Sequence, residues 1–180
     1  MTIAIIGTAG RDKTKPMTAQ LWAAMCANAR ARVPQGAELV SGGAAWADHL
    51  AVRLFLDGHA SKLTLHLPST FAHAGAFAGG HGSAGSAANY YHALFKVATG
   101  VDGIPEICDA IWRGAQYTTQ APDIGMGAFM IRNMEVAKMA DTLIAYTWGE
   151  RAAPADGGTA HTWRICKGSK IHVPLGNMFN

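Results

Sequence analysis

The run Thr2-Ile3-Ala4-Ile5-Ile6-Gly7-Thr8-Ala9-Gly10-Arg11 governs the reading of the whole chain. Its first half is short, apolar and rich in β-branched residues, which is the pattern of a strand covered on both faces, and it stops at once in a glycine turn. Downstream, Leu21, Trp22, Met25, Cys26 and Ala29 recur at helical spacing between Thr18 and Arg32, and Pro34-Gln35-Gly36 closes that helix. Glu38 to Val40 is a second short strand, running into Ser41-Gly42-Gly43. Trp46, Leu50, Leu54 and Phe55 then mark a second helix that ends at Gly58, and Lys62 to Leu67 a third strand that stops at Pro68. Strands alternating with helices in this way are satisfied by a parallel sheet with helices packed on it.

The same rhythm returns near the end of the chain. A helix over Met126 to Met139, a strand over Thr142 to Tyr146, a glycine loop, a short helix from Thr159 and a last strand over Lys170 to Val173 continue the sheet. Residues 69–125 break the rhythm. A Gly, Ala, Ser and His-rich stretch over Phe71 to Ala88 precedes two helices, Asn89 to Ala98 and Pro105 to Arg113, and a connection of that length is expected to cover a binding site or to add a packing layer. The expected fold is therefore α/β: a Rossmann-like, open, mostly parallel sheet with helices on both faces and a helical, glycine-rich insertion at about 69–125, all in one domain spanning 1–180.

Composition excludes several classes. Of 180 residues, 49% are hydrophobic and 15% charged, far from the make-up of a disordered chain. Fifteen Lys and Arg against twelve Asp and Glu leave a net charge of +3, too small a surplus to announce a nucleic-acid binder. No apolar run approaches the roughly 18 to 20 residues of a membrane span, and Ile3 to Ile6 is too short for a signal-peptide core, so a cytoplasmic protein with no membrane partner is expected. Cys26, Cys108 and Cys166 are widely spaced and odd in number, which fits buried free thiols rather than a disulfide framework. His73, His81 and His92 lack ligand spacing, and no metal or cofactor is expected.

Ligands of open α/β sheets collect beyond the carboxyl ends of the strands, where helix N-termini present backbone N–H groups. Three glycine turns fall there. Gly7-Thr8-Ala9-Gly10-Arg11 adds a cation. Ser41-Gly42-Gly43-Ala44 allows close backbone approach. Asp156-Gly157-Gly158-Thr159 supplies a hydroxyl and helix-terminal amides. Together they predict a cradle for phosphate or a nucleotide. Gly80-His81-Gly82-Ser83-Ala84-Gly85 matches the spacing of the dinucleotide fingerprint but follows no strand, and is read as a loop. Arg132-Asn133 interrupts an apolar helix; the guanidinium either reaches solvent or a carboxylate, or forks toward a phosphate or ribose.

In order and character these pieces resemble the SLOG superfamily of Rossmann-like proteins, which includes DprA, the lonely-guy phosphoribohydrolases and YspA-like proteins. The resemblance rests on Gly7 to Arg11, Ser41-Gly42-Gly43-Ala44 with Asp48 and Ala51, Arg132-Asn133, Ala140 to Ala145, and Gly157-Gly158-Thr159-Ala160-His161-Thr162, and is nearest to the YspA branch. It implies a pocket for a nucleotide-like small molecule: a nucleoside phosphate, an ADP-ribose-like molecule or a nucleotide sugar, sensed or sequestered. The implied ligand-binding residues are Gly7, Thr8, Arg11, Ser41, Gly42, Gly43, Asp48, Arg132, Asn133, Gly157, Gly158 and Thr159. It also implies a homo-oligomer, dimer or higher.

A hydrolytic alternative, cleavage of the N-glycosidic bond of a nucleoside monophosphate, needs a carboxylate near the ribose to stabilise positive charge or activate water. In the phosphoribohydrolases a glutamate lies three residues beyond the threonine of the glycine turn, where this chain has Thr162. Glu135 and Asp156, then Glu150 and Asp48, are the replacement candidates, although Glu135 is also placed to pair with Arg132 one helical turn away. Single-stranded DNA binding through Arg11, Lys13, Lys15, Arg30 and Arg32 is a third, weaker reading.

Overall fold

The computed structural model describes residues 1–72, 75–121, 124–154 and 157–179. Its elements, in chain order, are β1 (Thr2–Gly7), α1 (Ala19–Arg32), β2 (Ala37–Ser41), a 3-10 turn (Trp46–Asp48) leading into α2 (His49–Leu56), β3 (Ala60–Leu67), α3 (Ala84–Thr99) and α4 (Gly103–Trp112). They continue with β4 (Gln116–Thr119), α5 (Gly127–Met139), β5 (Thr142–Thr147), α6 (Gly157–Ile165), β6 (Ser169–Pro174) and a 3-10 turn (Leu175–Phe179). The six strands form one sheet in the order β4-β3-β2-β1-β5-β6, every neighbouring pair parallel. This is the α/β, Rossmann-like, open architecture that the alternating pattern predicts.

Period-two alternation along the strands sorts side chains to two faces. Ile3, Ile5, Ile144 and Tyr146 join the larger core with Leu21, Trp22 and Met25 of α1, Leu50 of α2, Phe95 of α3 and Ile107 of α4. Ala4, Ile6, Leu143 and Ala145 face a smaller core with Val136 and Ala137 of α5 and Cys166. Helices α1 to α4 thus cover one face and α5 and α6 the other. That change of face accompanies the return of the chain from the β4 edge to a position beside β1, so the strand order reverses between β1 and β5. At this junction Gly7 pairs in register with Tyr146, and the Thr8 N–H donates to the Tyr146 carbonyl (2.9 Å).

The inserted stretch holds the main departure from expectation. Its two helices are present, but Gln116 to Thr119 adds a sixth strand on β3. Polar, four residues long and mostly exposed, it carries no apolar alternation because an edge strand needs only one neighbour. Helix α3 also begins earlier than predicted, since the Ser83 hydroxyl accepts the N–H of Ser86 (3.1 Å) as an N-cap. The fingerprint-like Gly80 to Gly85 is this helix entry. Gly85 is required by packing, as a Cβ there would stand 1.9 Å from the Ala78 carbonyl oxygen. No described helix is long and apolar enough to cross a membrane.

Candidate functional site

A cavity of about 420 Å³ opens beyond the carboxyl ends of β1 and β5. Sheets of this kind offer a crevice at the point of strand reversal because the connecting loops diverge there to opposite faces. The first turn contributes Gly7, Thr8, Ala9 and Arg11 to its lining, the second Ala44, Ala45 and Asp48, and the third Gly157, Gly158 and Thr159. Arg132 and Asn133 enter from α5.

Hydrogen bonds lock the three turns together. The Thr159 hydroxyl donates to the Gly7 carbonyl (3.0 Å), joining the third turn to the first. Arg132 Nη1 donates to the Gly42 carbonyl (3.2 Å), while its Nη2 and Nε donate to Asn133 Oδ1 (3.0 and 3.3 Å). Asn133 Nδ2 completes the chain by donating to the Gly158 carbonyl (3.4 Å). Residues separated by up to 152 positions therefore form one connected floor. Arg132 is only 8% exposed and is turned inward; it does not pair with Glu135, and the carboxylate near it is Asp48. Among the described residues these bonds engage three of the guanidinium's five N–H groups, leaving two.

Asp48 lies across the floor from Arg132, buried at 5% exposure. Gly42 separates the two: a Cβ on it would sit 2.7 Å from both Arg132 Nε and Asp48 Oδ2. Burial pushes the Asp48 carboxyl above its usual pKa, opposed by the Arg132 charge and by the backbone N–H groups of Ala44, Gly42 and Gly7. Burial likewise pulls Arg132 below its ordinary value; Asp48 opposes this and the nearby Arg11 adds to it. Arg132 and Asp48 thus share a confined space, with the exposed Arg11 at its edge. Of the predicted cradle, Ser41, Gly42 and Gly43 lie beneath the cavity rather than in its wall. Ser41 Oγ donates to the Asp48 carbonyl (2.8 Å), and a Cβ on Gly43 would meet Leu67 at 2.5 Å. Trp46, the one described non-glycine residue with a positive φ (63°), braces the first turn, its indole filling the space that a Gly10 side chain would need.

The carboxylate candidates separate. Glu135 does not line the cavity and pairs with Lys138 (2.7 Å) at the surface. Glu150 is exposed on the loop after β5, and Asp156 lies outside the described residues. Asp48, last in the sequence order of preference, is the one of the three described candidates found in the lining. Thr162 lines it too, but its hydroxyl donates to the Gly158 carbonyl one turn back (2.9 Å).

Sequence reasoning did not name Tyr91 of α3 and Phe129 of α5, which form an aromatic wall. The Arg11 guanidinium lies over both rings, 5.2 Å from the centre of Tyr91 and 5.5 Å from that of Phe129, and Arg132 lies 5.1 Å from Phe129. Phe129 was within reach of the sequence, since it precedes Arg132 by three residues and so shares its helix face. Tyr91 sits in the insertion, where only a general covering role could be inferred.

No protein-family model matches the chain. Over 183 aligned residues it is 32% identical to uncharacterized protein R261 of Acanthamoeba polyphaga mimivirus, an alignment that covers 96% of this chain and 95% of the viral protein. The chain belongs to the family of that protein. With 96% of the chain aligned, the relation extends over most of the sheet, the turns and the inserted helices.

Proposed function

We propose that the protein binds a nucleotide or nucleotide-derived small molecule, such as a nucleoside phosphate, an ADP-ribose-like molecule or a nucleotide sugar, at the crevice between β1 and β5, as a sensor or sequestering protein. The observation that carries this reading is the convergence of Arg11, Arg132 and the start of α6 on one cavity. Guanidinium groups and helix-terminal amides offer donors and positive potential to a phosphate, and burial spares Arg132 the screening of open water. The volume, about 420 Å³, suits a molecule of nucleotide size. The SLOG-like order of motifs agrees with the same assignment, and the Met, Trp and Tyr-rich helices offer surface for the homo-oligomer it implies, with Tyr90 and Trp112 exposed. Native mass spectrometry gives the subunit count.

Isothermal titration calorimetry against AMP, GMP, CMP, UMP, ADP-ribose and pyrophosphate tests the reading. Arg132→Ala is expected to weaken binding by about 1.5 to 3 kcal/mol, the worth of a charge-assisted hydrogen bond. Because Arg132 also ties two turns together, Arg11→Ala serves as the second variant, expected to weaken binding while leaving the fold intact by circular dichroism. Unchanged affinity in both variants sinks the assignment.

One observation favours the hydrolytic reading as an alternative: Asp48 presents a buried carboxylate to the same cavity. Placed beside a bound ribose, it would stabilise the positive charge of an oxocarbenium-like transition state as the bonding electrons leave with the base, while water adds to the sugar and its proton passes to the base. Release of free base from any of the monophosphates, abolished by Asp48→Asn, is the expected result of this alternative; intact nucleotides after prolonged incubation exclude it.

A further inference from the structure

We propose that Tyr91 and Phe129 form a stacking slot for a nucleobase, and that Arg11 cedes its place over these rings to the base and turns to the ligand's phosphate. The inference rests on the nucleotide reading above and extends it by naming the residues that recognise the base. Its starting point is the unusual support of Arg11. Among the described residues the guanidinium has no hydrogen-bond or ion-pair partner, and the neighbouring Asp12 is turned to the Thr14 N–H (2.9 Å) and hydroxyl (2.7 Å) instead. What holds Arg11 is aromatic: the two rings lie 5.2 and 5.5 Å from its central carbon.

A guanidinium is flat, delocalised and weakly hydrated, and stacks on aromatic faces as a heterocyclic base does. Two ring faces that accept it offer the same surface to a base, whose stacking on aromatic residues tolerates any base identity. Tyr91 and Phe129 come from different helices on opposite faces of the sheet, α3 and α5, and both are only half buried at the wall of the cavity. An exposed, unpaired arginine can leave them by side-chain rotation alone. The backbone beneath it stays in place, since Gly10 (φ 74°) is packed against the Trp46 indole. On leaving, Arg11 brings a second cation toward the donors that Arg132 has left over, so one rotation frees the base position and strengthens the phosphate position.

Calorimetry with the full chain separates this from simple bracing of the first turn by the aromatic wall. The probes are AMP, GMP, CMP, UMP and ADP-ribose, compared with ribose 5-phosphate, which carries the anion and sugar without a base. The wild-type protein is expected to bind at least one base-bearing probe about tenfold or more tightly than ribose 5-phosphate. Tyr91→Leu and Phe129→Leu, which keep apolar bulk, are each expected to lower affinity for the base-bearing probe by about tenfold, the scale of base stacking on an aromatic side chain, and to leave ribose 5-phosphate unaffected. Tyr91→Trp should restore the preference. Equal affinity for the two kinds of probe in the wild type, or a loss common to both in the leucine variants, overturns the slot. In those cases Arg132→Ala still weakens every phosphate-bearing probe if the function proposed above holds. Failure of all phosphate-bearing probes to bind overturns both.

Discussion

Gly42 shows how a single missing side chain can set the chemistry of the floor. Its carbonyl receives a hydrogen bond from Arg132, and the space where its Cβ would be is bounded by the Arg132 and Asp48 head groups. A methyl group at 2.7 Å from both polar atoms must drive them apart, and overpacking of this kind costs on the order of 1 to 3 kcal/mol. Gly42→Ala is therefore expected to lower stability by that amount in urea unfolding and to weaken phosphate binding as well, because Arg132 loses its fixed direction. The effect is specific to position 42: Gly80→Ala, with open space around it, is expected to leave both unchanged. At this scale the glycine pair after β2 was visible in the sequence, but the packing around Gly42 was not. Two adjacent glycines after a strand suggested backbone approaching a ligand. Here Gly42 lets the head groups of a buried arginine and a buried aspartate approach the backbone while Gly43 packs against Leu67, an arrangement that depends on α5 and so has no signature in the local sequence.

Among the elements, the inserted helices carry the clearest pH dependence. His92 of α3 donates from Nε2 to the Gly43 carbonyl (3.1 Å), and His49 of α2 donates to Glu106 of α4 (2.8 Å), which in turn accepts from Arg53 (2.7 Å). Both Nδ1 atoms are buried and lack a hydrogen-bond partner among the described residues, so a proton added there gains no acceptor. Burial, with the His49 charge and Arg132 adding to it, holds His92 down to about 4 against the opposing Gly43 carbonyl and Asp102, and burial likewise lowers His49 despite Glu106. A histidine whose folded-state pKa lies below its unfolded value binds a proton more readily when unfolded. Its contribution is complete above pH 6.5 and is lost as the pH falls toward 4. For His92 that loss amounts to roughly 3 kcal/mol. Urea titrations at pH 7 and pH 4.5 are expected to show the fall, and His92→Gln, which can still donate to Gly43, should flatten it. An equal drop in His92→Gln contradicts this account. The helices themselves were legible from apolar spacing. The histidine pair was not, because its members lie 43 positions apart on separate elements, and β4 escaped notice because an exposed polar edge strand has no periodic apolar face.

For the whole molecule, the decisive feature is the reversal of strand order between β1 and β5. Its parts were legible, namely an apolar strand ending in glycines, a second βα rhythm after an interruption and three turns expected at one sheet edge, but the strand order itself was not. What the sequence left open was how those turns are joined. The structure answers with the bonds from Thr159 to Gly7 and from Arg132 and Asn133 to Gly42 and Gly158. Removing one link should therefore loosen the assembly while sparing the sheet. Thr159→Val is expected to cost about 1 kcal/mol in thermal or urea unfolding, the net worth of one hydrogen bond, and to raise amide exchange at Gly7 and Thr8. The most direct test of the binding account is a 1H–15N NMR titration of the assigned protein with AMP and ADP-ribose. Saturable shifts centred on the amides of Gly7, Thr8, Gly158 and Thr159 and on the Arg132 Nε–H are predicted; saturation with those signals unmoved, or with shifts confined to another face, would contradict the account.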